Sequence, residues 1–466
     1  MMDAIFKAKR IWWKWLVAAL VIVSLGGLYA CDESDNNHGV IIIIPTHTQT
    51  PKPTSTPAPT PSPTPTKLGP TATPTLAPAA CLPSSSTSVL ISGTDATSYV
   101  PEGRWGAAST GIEVVPIETK TGIGTGAAPT LVTTPNIVNS CSSNSATGQT
   151  VCVANNTDTY ILTGSTLNKT VASGATNSQS FSGGSCENCG VVVDSSLNKA
   201  LVTIGLTTGG PGGYQFLDLG TTPAFEPAIP AGATTSEDAS IDPIRKLVLS
   251  PNEQGNYQIV DISGGTTAAK VFNNAVAKSP EFDSAGEDCT TGIALGTIEF
   301  TGDLFIADLT QAKFDTTTNT WSDTASQVQT FPEFAALAAG TCGIAVAPGT
   351  HFGVVTGEFG GNVEGVIQLP ATSGTGTPAI PDWVQFTIPD LPDATPFSMG
   401  FDPHTVTAYV SPNTGKALAV LTSTRAGSKP TFLAVVDLEG LLKAPRTGHI
   451  VNTPIPAGLI TFVKAS

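Results

Sequence analysis

The feature that most constrains this chain is a short, strand-like run that recurs seven times beyond residue 84. The runs are rich in β-branched and aromatic residues, and four of them carry an aspartate next to their last residue. They occupy residues 114–117, 160–163, 214–219, 257–262, 304–309, 365–369 and 434–438. A small repeated unit cannot bury its apolar face alone, so the units must pack against one another.

The spacing of the runs predicts the fold. The six intervals between Pro116 and Asp437 average about 53 residues, the length of a four-stranded blade of a β-propeller. Later units also carry an earlier pair of strands joined by a turn, as in residues 239–243 followed by 246–249. We therefore predict an all-β propeller of seven blades over residues 84–466. Six or eight blades, and an array of β-sandwiches, remain alternatives.

Composition and charge narrow the class of protein. The chain has 466 residues with 47 glycines and 37 prolines, which disfavours helical bundles. Charged residues make up only 12% of the chain, and the formal net charge is −15. A nucleic-acid partner is not expected, because binding to phosphates needs a surplus of cationic side chains.

The first 30 residues have the pattern of a signal peptide. A basic segment ends at Lys14, and residues 15–30 are uncharged and largely apolar. This stretch is shorter than the roughly 20 apolar residues that a membrane-spanning helix needs. A retained anchor helix is the alternative.

The cleavage region resembles the bacterial lipobox, in the residues Leu28, Tyr29, Ala30 and Cys31. Tyr29 departs from the small residue usual at its position. The resemblance implies cleavage before Cys31, lipidation of that cysteine and attachment to a membrane through acyl chains. The expected location is the extracytoplasmic face of a membrane or the periplasm, with the inner and outer membranes both left open.

Residues 31–83 are predicted to form an extended linker. Residues 45–78 include 11 prolines and 11 threonines, and the segment therefore has too few apolar side chains to form a core. Such a segment favours polyproline II and holds the following domain away from the bilayer.

Two segments, residues 151–156 and 401–411, resemble the YVTN-type, NHL-like propeller repeat. In that repeat a strand ending in Asp-Pro turns into a Tyr-Val-Thr-Asn-like strand. The resemblance covers about 380 residues and supports a propeller. It is not specific for function, because the propeller fold hosts sensors, scaffolds, lactonases and dehydrogenase subunits.

Seven cysteines remain if Cys31 is lipidated, and an exported chain favours disulfides. Cys141 and Cys152 flank a turn-like stretch and are the expected pair. The other candidates for disulfides are Cys186, Cys189, Cys289 and Cys342. Cys186 and Cys189 have the spacing of a redox motif, but they precede a strand in a β-repeat, which disfavours redox chemistry.

Acidic residues recur at an interval of fifty. Glu187, Glu237 and Glu287 are spaced in this way, with Asp238 and Asp288 beside the last two. If each lies just before an innermost strand, the carboxylates converge at one mouth of the channel and provide oxygen ligands for Ca²⁺ or another divalent cation. The alternative is that they are solvated loop residues.

Two functions follow from these observations. The first is a membrane-anchored propeller, expected to be monomeric, that binds or scaffolds an unidentified protein, glycan or small molecule without catalysis. The second is a lactonase-like hydrolase or a metal-dependent oxidoreductase subunit with its site at the acidic channel mouth. The sequence contains no zinc-protease, nucleophile-elbow or phosphate-loop motif, which favours the first.

Overall fold

The structure is a computed structural model. It describes residues 87–102, 110–172, 188–204, 212–232, 238–252, 256–274, 282–298, 301–323, 327–331, 340–357, 361–372, 374, 376–399, 404–423 and 431–465. The predicted signal peptide, Cys31 and the Pro/Thr-rich linker lie outside these residues. Within them, no helix combines the length and the apolar character needed to cross a membrane.

Seven sheets follow one another along the chain, and each is one blade. Strands of blades 1 to 3 are Ser88–Ser92, Asp95–Pro101, Ile112–Thr119, Gly122–Ile123 and Thr130–Val132 (blade 1); Val138–Asn144, Gln149–Ala154, Asp158–Thr163 and Thr166–Ala172 (blade 2); Asn188–Asp194, Lys199–Ile204, Gly212–Asp218, Ala224–Phe225 and Ile229–Gly232 (blade 3). Each of the seven runs found in the sequence is the third strand of a blade.

Blades 4 to 7 follow the same antiparallel order. Their strands are Ser240–Asp242, Leu247–Asn252, Asn256–Asp261 and Lys270–Asn274 (blade 4); Phe282–Asp288, Ile293–Ile298, Asp303–Asp308 and Gln327–Thr330 (blade 5); Thr341–Ala347, Phe352–Gly357, Val363–Gln368 and Asp382–Thr387 (blade 6); Val406–Val410, Ala417–Thr422, Phe432–Asp437 and Ile460–Lys464 (blade 7).

The hydrophobic core lies between blades. The described residues form seven apolar clusters, one at each junction of successive blades, and the seventh joins blade 7 to blade 1. The first strand of each blade neighbours the first strand of the next, and the ring closes between blades 7 and 1. The fold is therefore a seven-bladed β-propeller, as the repeat spacing predicts.

The C-terminal strand completes blade 7. Residues 459–463 follow an outer-strand signal, and the sequence pattern therefore predicts that they pair with strands of residues 88–117 and complete the first blade. This prediction is wrong. Ile460–Lys464 pairs with Phe432–Asp437 of its own blade, with Val463 opposite Leu433. Because the chain after Phe432–Asp437 forms a helix, Leu438–Leu442, and then a hairpin, only the tail is left to provide the fourth strand of blade 7.

Side-chain packing closes the ring where strand pairing was expected. Val463 and Ala465 are buried in the cluster that joins blade 7 to blade 1, together with Val100 and Val115 of blade 1. Glu118 of blade 1 accepts hydrogen bonds across the same junction from blade 7. Its donors are Tyr409 Oη at 3.0 Å, Ser411 Oγ at 2.6 Å and Asn413 Nδ2 at 2.9 Å.

Two hairpins reach back to the preceding blade. The hairpin of Lys313–Asp315 and Thr320–Ser322 leaves blade 5 and extends the outer edge of blade 4, where the buried Trp321 Nε1 donates to Tyr257 O at 2.7 Å. The hairpin of Arg446–Thr447 and Ile450–Val451 leaves blade 7 and extends blade 6 in the same way. The run-and-turn pattern of the sequence did not predict these hairpins.

Innermost strands of several blades end in the same turn. The last residue of the strand, or the residue after it, accepts hydrogen bonds from the backbone amides two or three residues on, which holds the turn into the second strand. The accepting side chains are those of Asn144, Asp194, Asp242, Asp288 and Ser411.

Candidate functional site

The three described residues of the predicted acidic set lie at two different ends of the innermost strands. Asp238 is buried just before the innermost strand of blade 4, where it forms a parallel bridge with Ser284 of blade 5. Glu287 and Asp288 are the last two residues of the innermost strand of blade 5, and therefore lie inside the strand and not before it. Glu187 and Glu237 lie outside the described residues, so the predicted five-residue cation site remains a prediction.

Glu287 belongs to a separate buried cluster of ionisable side chains, which also contains Asp242, Asp288 and Arg245. Burial raises the pKa of Glu287 well above its usual range, and the carboxylate of Asp242 raises it further, while Arg245 acts in the opposite direction. Its surroundings therefore favour the neutral form of the Glu287 carboxyl.

A different cluster of chemically active side chains lies at the start of the innermost strands. It consists of Asp283 of blade 5, Cys342 of blade 6 and His404, two residues before the innermost strand of blade 7. The carboxylate oxygen, sulfur and imidazole nitrogen lie within 4.8 Å of one another. Each residue comes from a separate blade, so the cluster exists only because the ring brings the blades together.

His404 Nε2 is the meeting point of the cluster. Asp283 Oδ1 lies 2.7 Å from this nitrogen, Cys342 Sγ lies 3.3 Å from it, and Asp238 Oδ2 of blade 4 lies 4.0 Å from it. The four side chains are buried, with 1–7% of each residue exposed. Asp238, the one described member of the predicted acidic set at this end, is thus beside the cluster.

The same backbone irregularity positions two of these residues. The ladders between the first two strands are bulged at residues 283–284 in blade 5 and at 342–343 in blade 6. A threonine of the second strand accepts the amide hydrogen of the second bulge residue, Thr297 from Ser284 at 2.8 Å and Thr356 from Gly343 at 2.9 Å. A bulge turns side chains out of the regular ladder, which frees Asp283 and Cys342 to point at a common site.

Blade 3 repeats the bulge at residues 189–190, with the Gly190 amide donating to Thr203 Oγ1 at 2.7 Å.

The sequence analysis did not identify Asp283 and His404 as site residues. A signal for Asp283 was present, because residues 189, 283 and 342 each stand five residues before the last residue of an innermost strand. His404 precedes a strand by a short segment and carries no comparable spacing signal.

The arrangement does not match a nucleophile activated by a His–Asp pair. In such a triad the acid holds one ring nitrogen and the nucleophile faces the other. Here Asp283 and Cys342 both face Nε2, and Cys342 Sγ lies 4.0 Å from Nδ1. Burial raises the pKa of the Cys342 thiol well above its usual range, and the Asp283 carboxylate raises it further. The thiol is therefore protonated and weakly nucleophilic at neutral pH.

The cysteines divide into bonded and free. Cys141 and Cys152 form the predicted disulfide, joining directly opposite positions of the first two strands of blade 2. Cys289 is also disulfide-bonded, and Cys342 is a free, buried thiol. Cys186 and the side chain of Cys189 lie outside the described part of the chain.

Comparisons with known proteins leave the family open. No family model matches the chain, and no curated protein matches it. Among solved structures, the chain is similar to the β-propeller domain of Myceliophteria thermophila Cps50 (Swd1), with 9% identity and a TM-score of 0.47 over 75% of this chain and 95% of that one. It is also similar to Kuenenia stuttgartiensis hydrazine synthase, with 10% identity and a TM-score of 0.48 over 76% and 96% of the two chains.

Proposed function

We propose that this chain is a lipid-anchored, extracytoplasmic binding module that holds its ligand at the end of the propeller channel where Asp283, Cys342 and His404 meet. One observation carries the proposal. Side chains with hydrogen-bonding and metal-binding chemistry come from blades 4 to 7 and converge on one end of the ring. Ligands of closed β-architectures bind at such convergent sites, because the loops and strand ends of many blades meet there.

The anchoring part of the proposal is supported by the lipobox-like residues that end at Cys31 and by the Pro/Thr-rich linker that follows. A lipidated N-terminus on an extended linker presents a rigid ring to the surroundings of the membrane. An acidic net charge of −15 for the whole chain fits a domain that stays off an anionic bilayer.

Substitution of the lipidation site tests the anchor. We expect Cys31→Ser to block incorporation of labelled fatty acid and to move the chain from the detergent phase to the aqueous phase in a phase-separation assay. Cys81→Ser is the matched control, since it removes a cysteine near the end of the predicted linker and leaves the lipobox-like residues intact. Equal labelling and partitioning of Cys31→Ser and the control would refute the anchor.

Enzyme assays test the proposal that the chain binds its ligand without catalysis. The shared contact of Asp283 and Cys342 with His404 Nε2 and the protonated thiol of Cys342 favour binding over hydrolysis. We expect the purified chain to hydrolyse a panel of simple lactones no faster than buffer does. Hydrolysis that is lost in His404→Asn or Cys342→Ser would replace the binding function with a hydrolase.

A further inference from the structure

We propose that Asp283, Cys342 and His404 bind a divalent transition metal of the zinc class, with Asp238 as the fourth ligand. The proposal deepens the binding function and rests on the same channel end, but it does not depend on the lipid anchor. Its ligand set and metal class differ from those of the all-carboxylate site for Ca²⁺ or another divalent cation that the acidic repeats predict.

The types of donor atom select the metal. One imidazole nitrogen, one sulfur and carboxylate oxygens are the ligands that Zn²⁺ takes in proteins, whereas Ca²⁺ takes six to eight oxygens. A thiol in the ligand set favours a softer ion over a hard one. The zinc class therefore fits this cluster, and calcium does not.

The distances suit a small ion. Ligands about 2.0–2.3 Å from a tetrahedral Zn²⁺ lie roughly 3.3–3.7 Å from one another. The separation of 3.3 Å between Cys342 Sγ and His404 Nε2 already falls in this range, and the separation of 4.0 Å between Asp238 Oδ2 and His404 Nε2 lies just above it. Asp283 Oδ1, now 2.7 Å from Nε2, has to move outward by a small side-chain rotation.

The ligand atoms already lie around a common point. The carboxylate of Asp283 and the sulfur of Cys342 both lie within contact of His404 Nε2. A metal ion satisfies all of these atoms together, because each donates a lone pair to the same centre.

The state of Cys342 is a second, independent observation. Cys141, Cys152 and Cys289 are disulfide-bonded, while Cys342 is a buried free thiol. A thiol kept free beside an imidazole and two carboxylates in a chain that forms disulfides is the state expected of a metal ligand. Binding breaks the S–H bond of Cys342, and the proton passes to solvent as the sulfur–metal bond forms.

The surroundings would orient the ligands. Ser284 Oγ donates to Asp238 Oδ2 at 3.4 Å, and Thr297 Oγ1 donates to the backbone carbonyl of Cys342. Contacts of this kind fix the orientation of metal ligands and strengthen binding. A bound ion would join blades 4 to 7 at one end of the channel.

Cobalt substitution tests the proposal directly. The full chain, purified in detergent and stripped with a chelator, is titrated with Co²⁺, Zn²⁺ and Ca²⁺ and analysed for bound metal. We expect one Co²⁺ per chain with a thiolate-to-cobalt charge-transfer band and strong visible bands of a tetrahedral site, and displacement of Co²⁺ by Zn²⁺ but not by Ca²⁺. Absence of the thiolate band from the wild-type chain would overturn the proposal.

Variants assign the ligands. We expect Cys342→Ser to lose the charge-transfer band, and His404→Asn to weaken Zn²⁺ binding by more than the roughly 10–100-fold that a change outside the ligand set costs. His351→Asn is the matched control, because His351 also contacts a buried aspartate, Asp288, at the turn end of the strands. Retention of the thiolate band in Cys342→Ser would contradict the assignment.

The outcomes separate this inference from the proposed function. Binding of Ca²⁺ but not of Co²⁺ or Zn²⁺ by the wild-type chain, unchanged in Cys342→Ser, would overturn the zinc-class site and leave the anchored binding module unaffected. If the chain binds Co²⁺ at the zinc-class site but Cys31→Ser stays in the detergent phase, the lipid anchor is overturned and the metal site is retained. If a ligand variant fails to fold, the Co²⁺ spectrum of the wild-type chain still decides the question.

Discussion

The two ends of the innermost strands use the same residue type for different purposes. At the turn end, Asp242 Oδ1 accepts from two backbone amides at 2.8 Å each, and Asp288 accepts from the Thr290 amide at 3.0 Å. At the starting end, Asp283 faces the imidazole of His404, and Asp238 lies 4.0 Å from the same ring. A buried aspartate that accepts from the following amides holds a turn, whereas one that faces nitrogen and sulfur side chains is placed to bind a ligand.

The largest effect is expected at the turn end. Asp242→Ala removes both amide contacts and the ion pair with Arg245, whose side chain also reaches Cys289 O of blade 5 at 2.9 Å. We expect a loss of about 3 kcal/mol in the free energy of unfolding, measured by urea denaturation, because a cation and two amides lose a buried partner.

The control for Asp242→Ala is Asp261→Ala. Asp261 is only half-buried, and its carboxylate accepts the Ser263 amide in an exposed turn at 2.8 Å. We expect this variant to cost about 1 kcal/mol or less. Equal losses in the two variants would mean that the turns after the innermost strands contribute no more to the free energy of unfolding than an exposed turn does.

The second prediction concerns the buried glutamate at the turn end. Glu287 titrates near pH 4.5 when unfolded and well above that in the folded chain, so between these values the folded state holds a proton that the unfolded state has lost. Its contribution to stability is full below pH 4.5 and declines as the pH rises, by at most about 1.4 kcal/mol per pH unit.

Glu287→Gln should therefore lose less stability than the wild type between about pH 5 and pH 7, as followed by urea denaturation at each pH. Glu364 is also fully buried with a raised pKa, so Glu364→Gln should change the slope in the same direction. Parallel curves for the wild type and Glu287→Gln would show that the folded chain holds no proton on Glu287 in this range.

The sequence was sufficient for the fold because the signals are local. Each of the seven runs has strand-forming side chains and turn residues within a few positions, so each identifies one strand of a blade. The Cys141–Cys152 pair is local as well, since a hairpin places the two residues opposite each other. The C-terminal strand was misplaced because a hairpin that joins blade 6 occupies the chain between the third and fourth strands of blade 7.

The residues of the site are harder to predict from the sequence than the strands are. A spacing of fifty residues suggested that Glu237 and Glu287 are equivalent, but the innermost strand of blade 5 begins at Phe282, so Glu287 belongs to the opposite end. Asp283 reaches the cluster through a bulge, and His404 reaches it through the closure of the ring. Neither a bulge nor the approach of separate blades follows from the spacing of residue types.

The smallest effect is expected at His351, the histidine of the turn end. Its Nδ1 contacts the Asp288 carboxylate, but 30% of its side chain is exposed, and water therefore competes for this contact. The residue has a φ of 62°, a left-handed conformation that costs alanine more than it costs asparagine. Asparagine also keeps a donor near the position of Nδ1. We expect His351→Asn to cost less than about 0.5 kcal/mol and His351→Ala about 1–2 kcal/mol in urea denaturation. Equal costs for the two variants would mean that the imidazole ring of His351, and not its backbone conformation, contributes to stability. The turn end would then depend on a histidine side chain, as the starting end does.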